Sequence, residues 1–487
     1  MQNLPEKLYL AEQVREMDRM AMDDYAIPGI DLMRKAGRCV FDLIQTRYPA
    51  SDLVIFCGAG NNAGDGYVVA ALAIQAGLKV DVYYLSAPEK LCADAQLAYQ
   101  DFIQAGGLAQ AFENTISLTH CIIVDALFGT GLSREVVGAY ADAIRVINKS
   151  ACSVIAVDIP SGLNADTGCV MGCAVKAHWT VSFIGLKQGM FTGFAADYCG
   201  QLVYSSLDIP QAIYHSFTCA SRLVAQPVLA KRQRCAHKGS YGHVLLIGGE
   251  AGFSGAIRLA AEAALRTGAG LVSVATRSSH AGYINISRPE LMCHGIETAD
   301  DLRPLLDKAS TIVIGPGLGQ SEWAEELLKQ VVDSDKPLLI DADALNLLAK
   351  NPVQRGNWVL TPHPGEAARL LGWITEEIAK DRFLAVTQLQ TNFAGVVILK
   401  GAGTLIANAD EVMLSTTGNP GMATGGMGDV LAGMVAGLLA QKLSLTQAAT
   451  TAVYLHGEAA DLAAEQDGET GLLASDLMPF IRKLMNR

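Results

Sequence analysis

The segment LVIFCGAGNNAGDG, residues 53–66, decides the fold of the first half of the chain. It is an apolar run that leads into a glycine-rich turn and then into helical spacing, the pattern of a buried strand followed by a helix. Apolar runs at residues 79–85, 121–129, 153–162 and 179–185 continue this pattern, with helical segments between them. Strands that alternate with helices predict a parallel sheet with helices on both faces.

The alternation lapses near Leu207 to Ala230 and restarts with HVLLIGGEAGFSGA at residues 243–256. Later segments repeat the order of strand, loop and helix: TIVIGPGLG (311–319), PLLIDADAL (337–345), WVLTPHPGE (358–366) and VVILKGAGTLIA (396–407). A chain of 487 residues is longer than one hydrophobic core usually serves. We therefore expect two α/β domains, at residues 1–215 and 222–487, the first of them Rossmann-like.

The composition excludes several classes of protein. Hydrophobic residues make up 50% of the chain and charged residues 18%, which disfavours disorder. The net charge of -12 disfavours a broad nucleic-acid or anionic-membrane surface, so any bound phosphate must be held locally. The 11 cysteines lack C-x-x-C pairs and nearby His partners, a usage that indicates neither a disulfide framework nor a zinc site.

Targeting and membrane segments are not indicated either. Residues 1–20 carry charges throughout and lack the apolar stretch of a signal peptide. The most apolar helical stretch, Val430 to Ala440, is shorter than the roughly 20 residues that span a bilayer. We expect a cytoplasmic enzyme that acts on small molecules and forms a homo-oligomer. We expect neither nucleic-acid nor membrane partners.

The glycine loop at residues 58–66 predicts an anion site, because free N–H groups at a helix start favour a phosphate. Its G-x-G-x-x-x-G spacing is not the dinucleotide fingerprint, which disfavours an ordinary dehydrogenase. A tight turn alone also needs glycine. For an isolated glycine loop, a purely structural turn and a phosphate site are therefore about equally favoured. The added Asn61, Asn62 and Asp65 favour a site.

Two more strands of the first half end in polar clusters, at Asp125 and at Asp158 to Ser161. The carboxyl ends of parallel strands share one crevice, so these groups and Asn62 are expected to converge. Each aspartate alone is somewhat more often a helix cap or turn former. Two in one crevice favour chemistry, and Asp158 is the candidate acid or base.

The first half resembles the NAD(P)HX epimerase family, whose substrates are hydrated forms of NADH and NADPH. The resemblance lies in AIPGIDLM (26–33), GAGNNAGDG (58–66), VDALFGTGL (124–132) and AVDIPSGLNADTG (156–168), in the family's order. It implies a potassium ion held by Asn62, Asp125 and Ser161. It also implies substrate contacts at Asn61, Asn62, Ala63, Gly64, Asp65, Gly129, Thr130, Gly131, Leu132, Ser133, Arg134, Tyr140 and Asp158.

The strongest signal in the chain is NPGMATGGMGD, residues 419–429, which leads straight into an apolar helix. Consecutive N–H groups at such a helix start can stabilise a transferring phosphoryl group. The carboxylate of Asp429 is placed to deprotonate a hydroxyl that attacks phosphorus. A merely structural glycine turn capped by Asp is the weaker alternative.

The second half resembles the NAD(P)HX dehydratase branch of the ribokinase-like superfamily. The matching segments are KGSYGH (238–243), GGEAGFSGAIRLAA (248–261), GPGLG (315–319), IDADALN (340–346), TPHPGE (361–366) and KGAGT (400–404). The resemblance implies that Asp429 is the catalytic base. It places the nicotinamide substrate at Ala256, Gly317, Gly319, His363 and Asp429, and the adenine nucleotide at Lys400, Gly401, Ala402, Gly403, Thr404 and Gly428.

Several of these positions have structural alternatives. His363 lies between two prolines, a placement that favours a binding role over the more common structural one. The KGAGT segment after strand VVIL is also typical of a simple hairpin turn. Asp341 and Asp343 either orient Mg²⁺ through water or cap a helix, so Mg²⁺ is expected but its direct ligands stay unassigned.

The resemblance implies repair of hydrated NADH and NADPH, in which one domain interconverts the C6 epimers and the other dehydrates one of them. Two-domain members without a targeting peptide look like the bacterial ones, which use ADP, although ATP remains open. The alternative function is a ribokinase-like kinase of a small hydroxymethyl compound with a nucleotide-binding scaffold domain. A stable phosphorylated product would distinguish that kinase.

Overall fold

The structure, a computed structural model, describes residues 4–116 and 118–487. Its contacts divide the chain after Arg222 into two compact units. Residues 1–3 and 117, which belong to the expected first domain, lie outside the described residues. The first unit is the part up to Arg222, and the second unit begins at Leu223.

The first unit contains the strands and helices of an α/β domain. Its strands are β1 (Lys7–Tyr9), β2 (Asp52–Cys57), β3 (Val80–Tyr84), β4 (Ala109–Ala111), β5 (Cys121–Ala126), β6 (Ser153–Val157), β7 (Trp179–Phe183), β8 (Leu186–Lys187), β9 (Gln201–Ser205) and β10 (Ser221–Leu223), of which only the last residue belongs to the second unit. Its helices are α1 (Ala11–Asp23), α2 (Gly29–Arg47), α3 (Asn61–Gln75), α4 (Ala93–Gln104), α5 (Ala139–Lys149) and α6 (Gln211–His215).

The main sheet of the first unit has the order β4-β3-β2-β5-β6-β7-β9, and its paired strands are parallel. The chain builds outward from β2 on one side and then from β5 on the other. Ligands bind in such sheets at the carboxyl ends of the strands where the order reverses. Phe56 pairs with Asp125 and Asp125 with Ala156, so the expected polar clusters follow neighbouring strands.

A smaller group of strands in this unit positions one buried lysine. β1 pairs with β10 in the antiparallel direction and with β8 in the parallel direction. In the second of these pairs Tyr9 lies opposite Lys187. The side chain of Lys187 is fully buried, which is rare for a lysine unless it has an anionic partner.

The second unit is also an α/β domain. Its strands are β11 (His243–Ile247), β12 (Leu271–Thr276), β13 (Met292–Gly295), β14 (Thr311–Ile314), β15 (Leu338–Ile340), β16 (Trp358–Leu360), β17 (Val396–Leu399), β18 (Thr404–Ala407) and β19 (Val412–Ser415). Its helices are α7 (Ser254–Thr267), α8 (Ser278–Ala281), α9 (Ala299–Lys308), α10 (Glu322–Val332), α11 (Ala342–Lys350), α12 (Pro364–Leu371), α13 (Thr375–Lys380), α14 (Arg382–Phe393), α15 (Met427–Ala440), α16 (Leu445–Asp467) and α17 (Leu477–Leu484).

The sheet of the second unit runs β13-β12-β11-β14-β15-β16-β17-β18-β19. The pairs from β13 to β17 are parallel, whereas β17-β18 and β18-β19 are antiparallel. The loops that follow β11, β14, β15 and β16 therefore lie at one edge of the sheet. This edge carries the glycine and aspartate motifs of the second half.

The apolar helix α15 lies in the core of the second unit rather than on its surface. A Cβ atom on Gly433 would lie 2.0 Å from the Ala260 carbonyl oxygen of α7, so glycine is required for this close packing. The residues from Val430 to Ala440 are buried in this core. In the described part of the chain, no helix is long and apolar enough to cross a membrane.

Candidate active sites of the two units

A cavity of about 490 Å³ opens at the carboxyl ends of β2, β5 and β6 in the first unit. It brings together most of the residues that the sequence indicates: Asn61, Asn62, Asp65, Gly129, Thr130, Gly131, Leu132, Ser133, Arg134 and Asp158. Three loops separated by up to about a hundred residues therefore meet in one crevice, as expected for a parallel sheet.

Asp158 lies in this cavity on a strained turn, with a φ of 68° that non-glycine residues rarely adopt. Its Oδ1 accepts hydrogen bonds from the Lys187 ammonium and from the Phe183 N–H, the latter at 3.3 Å. Lys187 also donates to Ser182 Oγ at 2.9 Å. The turn and the buried lysine together fix this carboxylate in one orientation.

Asp125 lies beneath the cavity and is fully buried. It accepts hydrogen bonds from both the hydroxyl and the backbone N–H of Ser161, at 2.6 and 2.8 Å. Ser161 Oγ also lies 3.2 Å from the Phe128 carbonyl oxygen. Burial raises the pKa of Asp125 to about 6, although these hydrogen bonds lower it in part.

Asn62 completes this group from the first turn of α3. Its side chain is buried, and its amide nitrogen has no hydrogen-bond partner in the described structure. A Cβ atom on Gly129 would lie 3.7 Å from Asn62 Oδ1, which shows that the amide faces the loop after β5. A hard cation takes oxygen ligands, and this group offers the Asn62 amide oxygen together with the Asp125 carboxylate, the Ser161 hydroxyl and the Phe128 carbonyl.

Three residues of the expected substrate set do not line the cavity. Ala63 packs in the core, and Gly64 permits close contact with Met33, whose sulfur would lie 2.4 Å from a Cβ at that position. Tyr140 stacks on Phe128, with ring centroids 4.5 Å apart, outside the cavity lining. These residues support the loops that carry the cavity.

The structure adds two acidic residues that the sequence motifs did not indicate. Asp18 of α1 and Asp94 of α4 line the same cavity as Asp65 and Asp158. Burial, followed by the charges of Asp158 and Asp94, raises the pKa of Asp18 to about 6. Burial and the charges of Asp158 and Asp18 raise the pKa of Asp65 well above its ordinary value. The cavity thus combines an anchored carboxylate with carboxyl groups that hold a proton more readily.

Asp429 of the second unit lies in the first turn of α15, directly after Gly426, Met427 and Gly428. Gly426 adopts a φ of 92°, which lets the chain turn into the helix. The first N–H groups of a helix lack internal partners and face outward. Burial, and then the charge of Asp341, raises the pKa of Asp429 to about 7, even though Lys400 lowers it in part.

Lys400 is the cation of this centre, and other carboxylates engage it directly. Its Nζ lies 3.0 Å from Asp341 Oδ1 and 3.8 Å from Glu366 Oε2. Asp341 also accepts a 2.7 Å hydrogen bond from the Thr361 hydroxyl. A Cβ on Gly428 would lie 3.2 Å from Lys400 Nζ, so this glycine leaves room for the ammonium beside Asp429.

His363, between its two prolines, lies at the start of a helix. It is the N-cap of α12, and its Nδ1 accepts from the Gly365 N–H at 3.0 Å. Glu366 accepts from the His363 N–H at 2.8 Å, which completes a capping box. Pro364 is the first helical residue, where its missing N–H costs nothing. Burial and the charge of Lys400 lower the pKa of His363.

The loop after β14 forms a wall of the second centre. Gly317 and Gly319 adopt φ values of 57° and 71°. A Cβ on Gly317 would lie 3.3 Å from the Cβ of Ala256, so these two expected substrate residues are neighbours. The Gly319 N–H donates to Asp343 Oδ2 at 2.9 Å, which ties the loop to α11.

The KGAGT segment forms the hairpin loop between the antiparallel strands β17 and β18. Arg382, a buried residue of α14, donates to the carbonyl oxygens of Leu399 at 3.2 Å and of Gly403 at 3.4 Å. Burial lowers the pKa of Arg382 to about 10. The hairpin is thus shaped by an arginine that the sequence did not indicate.

Side chains of helix α16 form hydrogen bonds with the loop that precedes Asp429. Asp461 accepts from the Gly418 N–H at 2.9 Å and from the Asn419 amide at 3.0 Å. His456 is buried, bonds the Met427 backbone and leaves its Nε2 without a partner in the described structure. Burial and the Lys400 charge lower the pKa of His456 to about 4, so its ring is neutral at physiological pH.

Metal ligation by clustered side chains is not seen in this centre. Within residues 4–116 and 118–487, no group of three or more His, Cys, Asp or Glu side chains could hold a metal ion. Asp341 and Asp343 are instead engaged by Lys400 and by the Gly319 N–H. Their remaining oxygens suit a hydrated Mg²⁺ more than a dehydrated one.

The fold and these two centres define a class of protein: an α/β enzyme in which a Rossmann-like unit precedes a ribokinase-like unit. Family models match both parts of the chain. Residues 29–189 match "YjeF-related protein N-terminus", and residues 244–483 match "NAD(P)H-hydrate dehydratase".

Full-length relatives carry one shared description, bifunctional NAD(P)H-hydrate repair enzyme. The protein of Coxiella burnetii is 48% identical, over 98% of this chain and 99% of its own length. That of Escherichia coli is 43% identical, over 99% of this chain and 95% of its own. A solved structure from Streptococcus mutans, described as hypothetical, is 32% identical with a TM-score of 0.50, over 54% of this chain and 95% of its own. The chain belongs to the family of bifunctional NAD(P)H-hydrate repair enzymes.

Proposed function

We propose that this protein recovers hydrated NADH and NADPH through two activities in one chain. The first domain, residues 1–215, interconverts the 6R and 6S epimers of NADHX and NADPHX. The second, residues 222–487, dehydrates the 6S epimer at the expense of ADP and releases AMP and phosphate. The observation that carries the proposal is Asp429, a buried carboxyl with a pKa of about 7 at a glycine-rich helix start.

The second reaction needs a base because a hydroxyl is a poor leaving group. Asp429 takes the proton of the C6 hydroxyl as that oxygen attacks the terminal phosphorus of ADP, and the bond to AMP breaks. The ring nitrogen then expels phosphate from C6 while C5 loses a proton, which restores the dihydronicotinamide. A base with a pKa near the operating pH is the most efficient for such a transfer.

The other residues of the second centre bind and orient. The N–H groups at the start of α15 face the transferring phosphoryl group, and Lys400 offsets its charge beside Gly428. The nucleotide site is formed by Lys400, Gly401, Ala402, Gly403, Thr404 and Gly428. Ala256, Gly317, Gly319 and His363 contact the hydrated nicotinamide. Bound Mg²⁺ would neutralise phosphate charge, held through water by Asp341 and Asp343.

The first reaction changes the configuration at C6, either through ring opening or through loss and return of water. Asp158 moves the proton, because it is the cavity carboxylate that an ion pair with Lys187 orients. The substrate is contacted by Asn61, Asn62 and Asp65 and by the loop from Gly129 to Arg134, while Ala63, Gly64 and Tyr140 hold these loops in place. A potassium ion held by Asn62, Asp125 and Ser161 would supply positive charge beside the substrate phosphates.

The test is the recovery of NADH absorbance from a mixture of NADHX epimers, with ADP and separately with ATP. Full recovery with one of the nucleotides supports both activities and identifies the donor. Recovery of about half of the mixture would contradict the epimerase assignment. A stable phosphorylated product instead of NADH would favour a ribokinase-like kinase of a small hydroxymethyl compound.

The two ions are tested in the same assay. Replacing K⁺ with a larger organic cation should slow epimerisation of the 6R form and leave dehydration of the 6S form unchanged. Chelation of Mg²⁺ should slow only dehydration. Asn62→Ala should abolish the response to K⁺, whereas Asn148→Ala in the same unit should not, since Asn148 bonds backbone groups near Ala174 outside the cavity.

A further inference from the structure

A second cavity, of about 340 Å³, opens on the second unit. It is lined by Gln320, Asn346, Ala349, Lys350 and Arg369, and we call it the Arg369 cleft. Two of its five residues are cations and two carry amides, in a chain with a net charge of -12. Asn346 ends the IDADALN segment, but the proposed reaction assigns a role to none of the five.

The Arg369 cleft continues the three segments that build the dehydratase centre. Gln320 directly follows Gly319, whose N–H is bonded to Asp343. Asn346 lies three residues after Asp343 on α11, a spacing that puts both on one helix face. A group bound at Gly319 and Asp343 therefore has this cleft as its neighbour.

Arg369 ties the cleft to the same centre electrostatically. It lies on α12, the helix that His363 caps. After burial and Lys400, its charge is the next cause that lowers the pKa of His363, and it also lowers that of Glu366 in part. The guanidinium is thus within electrostatic range of the nicotinamide subsite.

The cations of the cleft are only weakly neutralised. Arg369 donates to Asn346 Oδ1 at 2.7 Å, an uncharged acceptor, and no carboxylate of the described residues forms a salt bridge with it. Lys350 Nζ lies 3.7 Å from Glu325 Oε1, and both of these side chains are substantially exposed to solvent. A guanidinium that keeps free donors, with amide groups around it, is typical of a phosphate site.

We propose that the Arg369 cleft binds a phosphate group of the hydrated dinucleotide while its nicotinamide ring occupies the dehydratase centre. This inference rests on the proposed function, because the phosphates belong to the tail of that substrate. The tail offers two sources of the same chemistry: the pyrophosphate, present in both substrates, and the 2′-phosphate, present only in NADPHX. A cleft of this volume accommodates either group.

The experiment compares steady-state dehydration of 6S-NADHX and 6S-NADPHX by the full-length wild type and by Arg369→Gln and Lys350→Gln. We expect KM to rise about tenfold in Arg369→Gln and less in Lys350→Gln, with kcat within about twofold, since charge-assisted hydrogen bonds to the tail are lost. An equal rise for both substrates identifies the pyrophosphate. A rise for NADPHX alone identifies the 2′-phosphate.

Arg303→Gln is the matched control, because Arg303 is an exposed arginine of the same unit that pairs only with Asp300 in the described structure. Unchanged KM for both substrates in Arg369→Gln would overturn the proposal while wild-type turnover still supports the repair function. Calorimetric titration with NADPH and NADH gives the same comparison without turnover. Equal affinity of wild type and Arg369→Gln for both products would likewise overturn the phosphate assignment.

Discussion

The two candidate aspartates of this protein lie in opposite electrostatic settings. Asp158 is bonded directly by the buried ammonium of Lys187. Asp429 also has a lysine nearby, but Lys400 is bonded to Asp341 at 3.0 Å instead. A lysine near a carboxylate is therefore not always its ion-pair partner, because competing acids can engage the cation first.

The setting of each aspartate suits the reaction proposed for it. A carboxylate with its own counter-ion keeps one orientation towards a substrate that reacts in either configuration at C6. A carboxyl group whose cation is engaged elsewhere both releases and recovers a proton near neutral pH. The comparison therefore predicts that the two sites respond differently to the same kind of substitution.

The largest effect is expected for Asp429→Asn. The substitution removes the base but keeps the shape and the helix start, so dehydration of pure 6S-NADHX should fall about 1000-fold. The rate of 6R-NADHX epimerisation should stay within twofold of wild type. It is measured by chromatographic separation of the epimers. Dehydration within tenfold of wild type would remove Asp429 from the catalytic role.

Lys187→Met tests the other side of the comparison. Loss of the ammonium leaves Asp158 partly buried without its counter-ion, so epimerisation should fall about 100-fold and the first unit should lose about 3–5 kcal/mol of stability. Asp158→Asn combined with Lys187→Met should recover part of that stability, since no unpaired charge remains. The measurements are epimer exchange and thermal unfolding.

The matched control for this test is Lys176→Met, which changes an exposed lysine of the same unit. It should leave both measurements unchanged. If Lys187→Met were as stable and active as this control, the ion pair would have no role in holding Asp158.

The sequence predicted the parts of both centres that follow strands, because the carboxyl ends of parallel strands must share an edge. Asp125 and Asp158 were found in this way, whereas the α15 loop was found from its dense glycines before an apolar helix. Lys187 was not, since it lies 29 residues after Asp158 on a two-residue strand, and only tertiary packing brings the two together. A lysine within the apolar stretch at residues 183–190 was the available signal.

Asp18 and Asp94 were missed for a similar reason, because they reach the cavity from helices that carry no glycine motif. The role of Glu366 was predictable in part. Pro364 at the helix start with Glu366 two residues later is typical of a capping box, whereas the salt bridge to Lys400 depends on the distant strand β17. Local sequence rules thus predict helix caps and loops. Contacts between side chains of distant segments can be identified only from the folded structure.

The pH dependence of dehydration also distinguishes the two aspartates. With a pKa of about 7, Asp429 is increasingly protonated below neutrality, so kcat/KM for dehydration should fall about tenfold per pH unit below pH 7. Asp343→Asn removes one of the charges that raise this pKa and should move the acidic limb to lower pH, while its side-chain oxygen can still accept from Gly319. An unshifted limb would show that Asp343 does not act on Asp429.

The smallest effect concerns stability. The pKa of Asp429 is raised above its ordinary 3.8, so its contribution to stability is fully present below about pH 4 and is lost as pH rises through 7. Asp429→Asn should therefore raise the melting temperature by a few degrees at pH 8, with a gain that shrinks towards pH 5, whereas exposed Asp410→Asn should change little at either pH. If Asp429→Asn instead lowered the melting temperature at pH 8, Lys400 would be a direct ion-pair partner of Asp429, as Lys187 is of Asp158, and the contrast between the two sites would not hold.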